Sequence, residues 1–243
     1  MGLIGFSFRW GLLLQALALI HFIRRRPDTF WLWIIIFFGP LGALVYMAIE
    51  VVPDLSLLRG SFHGFSRRRR IHELQRIVEE NPAVGNREEL ADLLLEEKQY
   101  ARARELYDSI ITPKSEDLDP VYRRALAELA LSDAPAAARD LDRVVSADPK
   151  YDFHRASGLL AYAYALSGRV AEADAAFQRA LERSSLNETS YHYAEFLAAN
   201  GRAAEAREWA ERILANKSTI PRFLRRQERP WFRKASALLK KTS

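Results

Sequence analysis

The chain has no cysteine, and that one absence excludes disulfides, thiolate metal sites and thiol nucleophiles together. It leaves the redox compartment undetermined. Catalytic motifs are missing as well. The 243 residues contain no phosphate-cradling glycine loop, no G-x-S-x-G elbow and no H-E-x-x-H pair. His192 and Glu195 stand one helical turn apart and offer two ligands to a metal, but nothing nearby supplies a third. Neither an enzyme nor a cofactor is expected.

What is present is unevenly charged. Residues 1–81 hold 10 Lys and Arg against 6 Asp and Glu, residues 82–220 hold 18 against 24, and residues 221–243 hold 8 against 1. The basic excess therefore flanks an acidic middle. Anionic lipid headgroups suit that distribution better than nucleic acid, which is not expected as a partner.

Trp31 to Val52 reads WLWIIIFFGPLGALVYMAIEVV and carries no charge before Glu50. That length crosses a bilayer core of roughly 30 Å. A second apolar segment precedes it, with Arg9 and Gln15 as its interruptions and Arg24, Arg25 and Arg26 at its end. A signal peptide is the competing reading of the first segment, but no A-x-A site follows it. The expectation is a transmembrane helical hairpin over residues 1–54, with spans at about 3–23 and 30–52. Gly39-Pro40 breaks the second span, and the carbonyl freed there needs a partner from a neighbouring helix. The distribution of arginine leans toward cytoplasmic termini in a bacterial inner membrane.

The basic linker, the aromatic start and FFGPLGALVY resemble the two-helix N-terminal module of phospholipase D-type cardiolipin synthases. Pro40 and Tyr46 match the ends of that module's P-x-x-G-x-x-x-Y pattern, while the glycine, Gly42, falls one residue early. The chemistry of those synthases is not carried over, because none of the five histidines is followed two residues later by lysine.

Residues 55–82 read as a connector and a basic juxtamembrane helix. Pro53, Gly60 and Gly64 mark the connector, Ser66 offers an N-cap, and Ile71, Leu74, Ile77 and Val78 form one apolar stripe. Arg67, Arg68, Arg69 and Arg70 are candidates for lipid headgroup contact or, on the plainer reading, a topology signal.

From residue 83 the chain repeats. Ala103, Ala137, Ala173 and Ala206 recur at spacings of 34, 36 and 33, and each is preceded twelve residues earlier by Ala91, Ala125, Ala161 or Ala194. A large residue follows at Tyr107, Leu141 and Phe177, with Ala210 in the fourth copy. Such a period means stacked helix–turn–helix units. The pattern resembles the tetratricopeptide repeat, in four copies at about 84–117, 118–151, 154–187 and 187–220 within residues 83–220. Pro149, Gly168 and Gly201 match the family's punctuation, and its early tryptophan is absent. The resemblance implies a concave wall built from the first helix of each unit. Carried onto this sequence, the wall positions are Glu88, Asp92, Tyr122, Leu126, Arg155, Tyr162, Tyr191 and Glu195, a set suited to an extended or helical peptide.

The tail, residues 221–243, reads as a basic capping helix with Trp231, Phe232, Ala235, Leu238 and Leu239 on one face, or alternatively as a membrane-surface or partner contact by a basic, aromatic segment. The whole chain is thus expected to be all-α, a membrane hairpin followed by a tetratricopeptide-like solenoid. Its expected role is a non-catalytic scaffold that binds a protein partner at the membrane. Two other readings stay open: a lipid-linked accessory to phospholipid synthesis or anionic-lipid sensing, and self-association through the hairpin.

Overall fold

Glycine and proline set the first break in the chain. The computed structural model describes residues 15–20, 22, 30–47, 56–113, 116–221 and 224–242, with only the backbone of 56–66. It divides into two compact units, residues 1–70 and 71–243. In the first, residues 15–20 are helical, followed by α1 (Phe30–Phe37) and α2 (Gly39–Tyr46). Gly39 has φ 54°, a left-handed conformation that glycine adopts without penalty. Pro40 then falls in the first turn of α2, where its missing N–H costs nothing. The chain bends so sharply that a Cβ on Gly42 would lie 2.1 Å from the Ile34 carbonyl oxygen. The Ile35 carbonyl accepts a hydrogen bond from Gln15 Nε2 at 3.1 Å, so a neighbouring segment meets the polar demand of the break. Around it Ala18, Ile35, Ala43 and Tyr46 are fully buried, with Trp31 edge-on to Tyr46 at 5.6 Å.

The expected second span is therefore not one continuous helix. Residues 3–14, 21 and 23 of the first and 48–52 of the second lie outside the described residues. The described part of the second is two eight-residue helices, interrupted at Phe38. Among the described residues no helix is long and apolar enough to cross a membrane.

The connector is also helical, which corrects the sequence reading. Helix α3 runs from Ser56 to Glu80 through Gly60, Gly64 and Ser66. A glycine costs a helix about 1 kcal/mol relative to alanine, too little to stop one where no proline intervenes. Asn81 and Pro82 stop it. Its stripe has a use: Ile71 and Leu74 are buried against Leu90, Leu94 and Tyr107 and close the first face of the solenoid.

Four helix pairs follow. They are α4 (Val84–Glu96) with α5 (Tyr100–Ile110), α6 (Asp119–Ala130) with α7 (Ala134–Ala147), α8 (Arg155–Leu166) with α9 (Val170–Arg183), and α10 (Asn187–Ala199) with α11 (Ala203–Thr219). A last helix, α12 (Arg225–Lys241), packs on α11. The eight alanines of the repeat are all at 0% exposure, and so are Tyr107, Leu141 and Phe177. Small residues let the helices of a pair approach closely, and the bulky residue fills the step to the next pair.

The turn inside each pair has one conformation and two chemistries. Lys98, Ser132, Gly168 and Gly201, each five residues before its second-helix alanine, have φ of 61°, 63°, 73° and 78°. The next backbone N–H reaches back to Leu94, Glu128, Tyr164 or Leu197 at 2.8 to 3.0 Å, closing the helix end in all four units.

Charge is buried within the second pair and linked to the first. Arg124 on α6 donates to both Asp140 carboxylate oxygens on α7 at 2.6 and 2.7 Å and to Asp108 on α5 at 2.8 Å. Glu128 lies at 6% exposure, 3.9 Å from Arg124 Nε, with one carboxylate oxygen lacking a hydrogen-bond partner. Burial, and then the charge of Asp140, push its carboxyl up to about 7 from 4.5.

Two outcomes are expected. Glycine at Lys98 or Ser132 relieves a left-handed side chain and should raise stability by about 0.5 kcal/mol each, whereas Gly168→Ala and Gly201→Ala should each lower it by about 1 kcal/mol. Urea denaturation followed by circular dichroism measures both signs. The folded state holds the Glu128 proton to higher pH than the unfolded chain, so stability should fall as pH rises from about 4.5 to 7. Glu128→Gln should remove that fall and add about 3 kcal/mol at pH 8 with little change at pH 4.

Candidate functional site

The first helices α4, α6, α8 and α10 carry all eight predicted wall residues, and packing sorts them into two groups. In the first, the polar side chains bond mainly to other side chains of the solenoid. Tyr107 donates to Asp92 at 2.6 Å, Arg123 approaches the same carboxylate at 3.5 Å and pairs with Asp119, and Tyr151 donates to Asp119 at 2.8 Å. Glu88 borders this cluster, its carboxyl raised by burial and by Asp117, Asp92 and Asp119. Burial also raises Asp92, against the Tyr107 hydrogen bond and Arg123.

Tyr122 and Arg155 complete the group from the next two units. Tyr122 donates to Asp152 at 2.6 Å, Arg155 grips Glu188 through two bonds of 2.6 and 3.2 Å, and its third nitrogen donates to the Tyr122 hydroxyl at 3.2 Å. The guanidinium is raised first by Glu188. These residues, predicted as ligand contacts, are largely spent on holding units two, three and four in register. Leu126 packs beside them, half-buried against the core of units two and three.

The second group is open. Tyr162, Tyr191 and Glu195 gather around His192, which the sequence offered only as half of a metal pair. The Tyr162 and His192 rings stack at 3.8 Å, His192 meets the edge of Trp231 at 5.4 Å, and Lys234 lies 4.4 Å above Trp231. Tyr191 donates to Glu195 at 3.0 Å. His192 and Tyr191, with Lys234, hold the Glu195 carboxyl below its ordinary value against the effect of burial. Burial, then Glu195, lift the Tyr191 hydroxyl to about 12. His192 is 7% exposed, and its Nδ1 has no hydrogen-bond partner, with Glu195 3.8 Å away. Tyr162 and Trp231 remain half-exposed, while Glu195 and Lys234 are exposed. An aromatic floor edged by one carboxylate and one ammonium can seat an apolar side chain and pair with its charged neighbours.

Sequence reasoning missed three features here. Trp231 and Lys234 belong to α12, which reaches the wall only because it packs against α10 and α11. Phe153 is 87% exposed on the turn Tyr151–His154, where Asp152, Phe153 and His154 all have positive φ. The one available signal was the spacing of 36 between Ala125 and Ala161, the longest of the three. Among the described residues no group of three or more His, Cys, Asp or Glu is arranged to hold a metal. Arg67 to Arg70 lie on α3 with Arg68 and Arg69 exposed, and Arg67, Arg68 and Arg70 have contacts of their own.

The geometry agrees with known folds. The Tetratricopeptide repeat family model matches residues 122–188. The crystal structure of TTC0263, a thermophilic tetratricopeptide-repeat protein in Thermus thermophilus, is similar at a TM-score of 0.53 and 22% identity, covering 76% of this chain and 97% of that one. MamA is similar at a TM-score of 0.50 and 15% identity, covering 77% of this chain and 94% of its own. No curated protein matches the chain. The paired alanines, the shared turn conformation and the matched segment identify α4 to α11 as an all-α solenoid of tetratricopeptide-like repeats.

Proposed function

We propose that the chain is a membrane-anchored scaffold, its repeats facing the cytoplasm of a bacterium, that docks a segment of a protein partner on the first-helix face. Folds of this repeat type generally act as non-catalytic scaffolds. The observation that carries the reading is the aromatic floor of Tyr162, His192 and Trp231, half-open between Glu195 and Lys234. Asp92, Tyr122 and Arg155 on the rest of that face are engaged in the chain's own hydrogen bonds, so an incoming peptide finds its anchor at units three and four. The anchor part of the proposal is supported by the apolar run Trp31 to Val52 and by the exposure of Phe30, Trp33, Phe37, Phe38 and Leu41, each above one half. Contiguous apolar surface of that kind needs lipid or a partner to cover it.

Two measurements test the two halves. Carbonate extraction of membranes should leave the full chain in the pellet and release a chain lacking residues 1–52; a full chain that washes off defeats the anchor. Proteins co-purified with the full chain should include a partner lost on Tyr162→Ala and on Glu195→Lys but kept on Arg229→Gln, with Tyr162→Ala costing about 2 kcal/mol, roughly 30-fold in affinity. A partner indifferent to both wall variants rules out docking at this floor.

A further inference from the structure

A second feature lies away from the wall. Between α11 and α12 is a cleft of about 770 Å³, within the roughly 300–1,000 Å³ of small-ligand sites. Lys217 from α11 and Arg225, Arg229, Arg233 and Lys240 from α12 line it, over Leu214 and Phe232. No acidic side chain lines it. Elsewhere in the solenoid Arg124, Arg155 and Arg202 each close on carboxylates, but Arg225 is held by neutral carbonyls, those of Ile220 at 2.8 Å and Ser218 at 3.1 Å. Its guanidinium is thus fixed at the cleft by the carbonyls that end α11, with no carboxylate paired to it. Arg225, Arg229 and Arg233 follow one another at four-residue steps, a like-charge row that works against an isolated helix.

We infer that this cleft binds the phosphate headgroup of an anionic phospholipid. Guanidinium forks match phosphate oxygens two at a time, and lysines add point charge. The apolar floor at Leu214 and Phe232 suits the glycerol end of a lipid rather than the continuous backbone of an acidic peptide. The lipid source of the phosphate rests on the membrane anchor proposed above; the anion site itself does not.

Because the chain has no cysteine, Gln227→Cys gives one labelling point on the exposed side of α12, outside the cleft lining. The full chain, in neutral maltoside micelles with an environment-sensitive dye there, would be titrated with dihexanoyl phosphatidylglycerol, dihexanoyl phosphatidylcholine, inorganic phosphate and hexaglutamate. Phosphatidylglycerol should bind at least tenfold tighter than the other three. Each cation near an anionic lipid contributes about fivefold, so Arg229→Gln, Arg233→Gln and Lys240→Gln together should weaken it about 100-fold. If the triple variant loses its circular dichroism, Arg233→Gln alone should show a drop of about fivefold. Equal binding of phosphatidylcholine, or wild-type affinity in the variants, overturns the site. Inorganic phosphate binding as tightly overturns the lipid assignment in favour of free phosphate, and tighter hexaglutamate overturns it in favour of an acidic protein segment. Micelles require no anchored chain, so a failed carbonate extraction leaves this result readable.

Discussion

The solenoid depends on the closeness of the two helices in each pair, and eight alanines at zero exposure set that distance. Any larger side chain there would overpack a contact with no room to relax, typically at a cost of about 1–3 kcal/mol. Bulk is confined to the step between pairs, where Tyr107, Leu141 and Phe177 are equally buried. The fourth unit breaks the rule with Ala210, and the space is taken by Ile213 of the same helix and, from outside the repeat, by Phe232 and Leu238. The capping helix thus completes a core that the last unit leaves short. At the other end Ile71 and Leu74 do the same for the first unit.

Close packing of apolar positions forces polar side chains on the first helices to reach across units. Arg124 and Arg155 each join two neighbouring pairs through carboxylates. Such pairs offset much of their attraction against desolvation, and Glu128, left with one unbonded oxygen, shows the cost in its raised carboxyl. The first-helix face is divided accordingly. Asp92, Tyr122 and Arg155 fix register there, and around His192 it keeps the half-exposed rings of Tyr162 and Trp231.

The repeat was legible because its signal is size at a fixed period, and size is what packing selects. Gly168 and Gly201 announced their turns in the same way. Lys98 and Ser132 could not, since the left-handed backbone there is imposed by the tertiary fold on residues that do not favour it. The helix through Gly60 and Gly64 was hidden for the opposite reason: glycine reads as a breaker but costs too little to be one. The bond between Tyr122 and Arg155 spans 33 positions and follows no period, so no local pattern could reveal that these wall residues are occupied with each other. His192 stood in the sequence as a possible ligand, and only Tyr162 and Trp231 packed on its ring give it another role.

The charge of the last helix follows a different logic from its apolar face. Covering α11 requires Phe232, Ala235 and Leu238, and those three side chains are buried as a cap demands. A cap of that kind would be served as well by alternating charges on its remaining surface, as α10 and α11 have in Glu188, Glu195, Arg207 and Glu211. Instead α12 sets Arg225, Arg229, Arg233 and Lys240 toward one cleft with no carboxylate among them. Mutual repulsion in that row lowers the helix's own stability. One helix therefore carries two separable faces: an apolar one that finishes the solenoid, and a cationic one, on which the anion site is proposed.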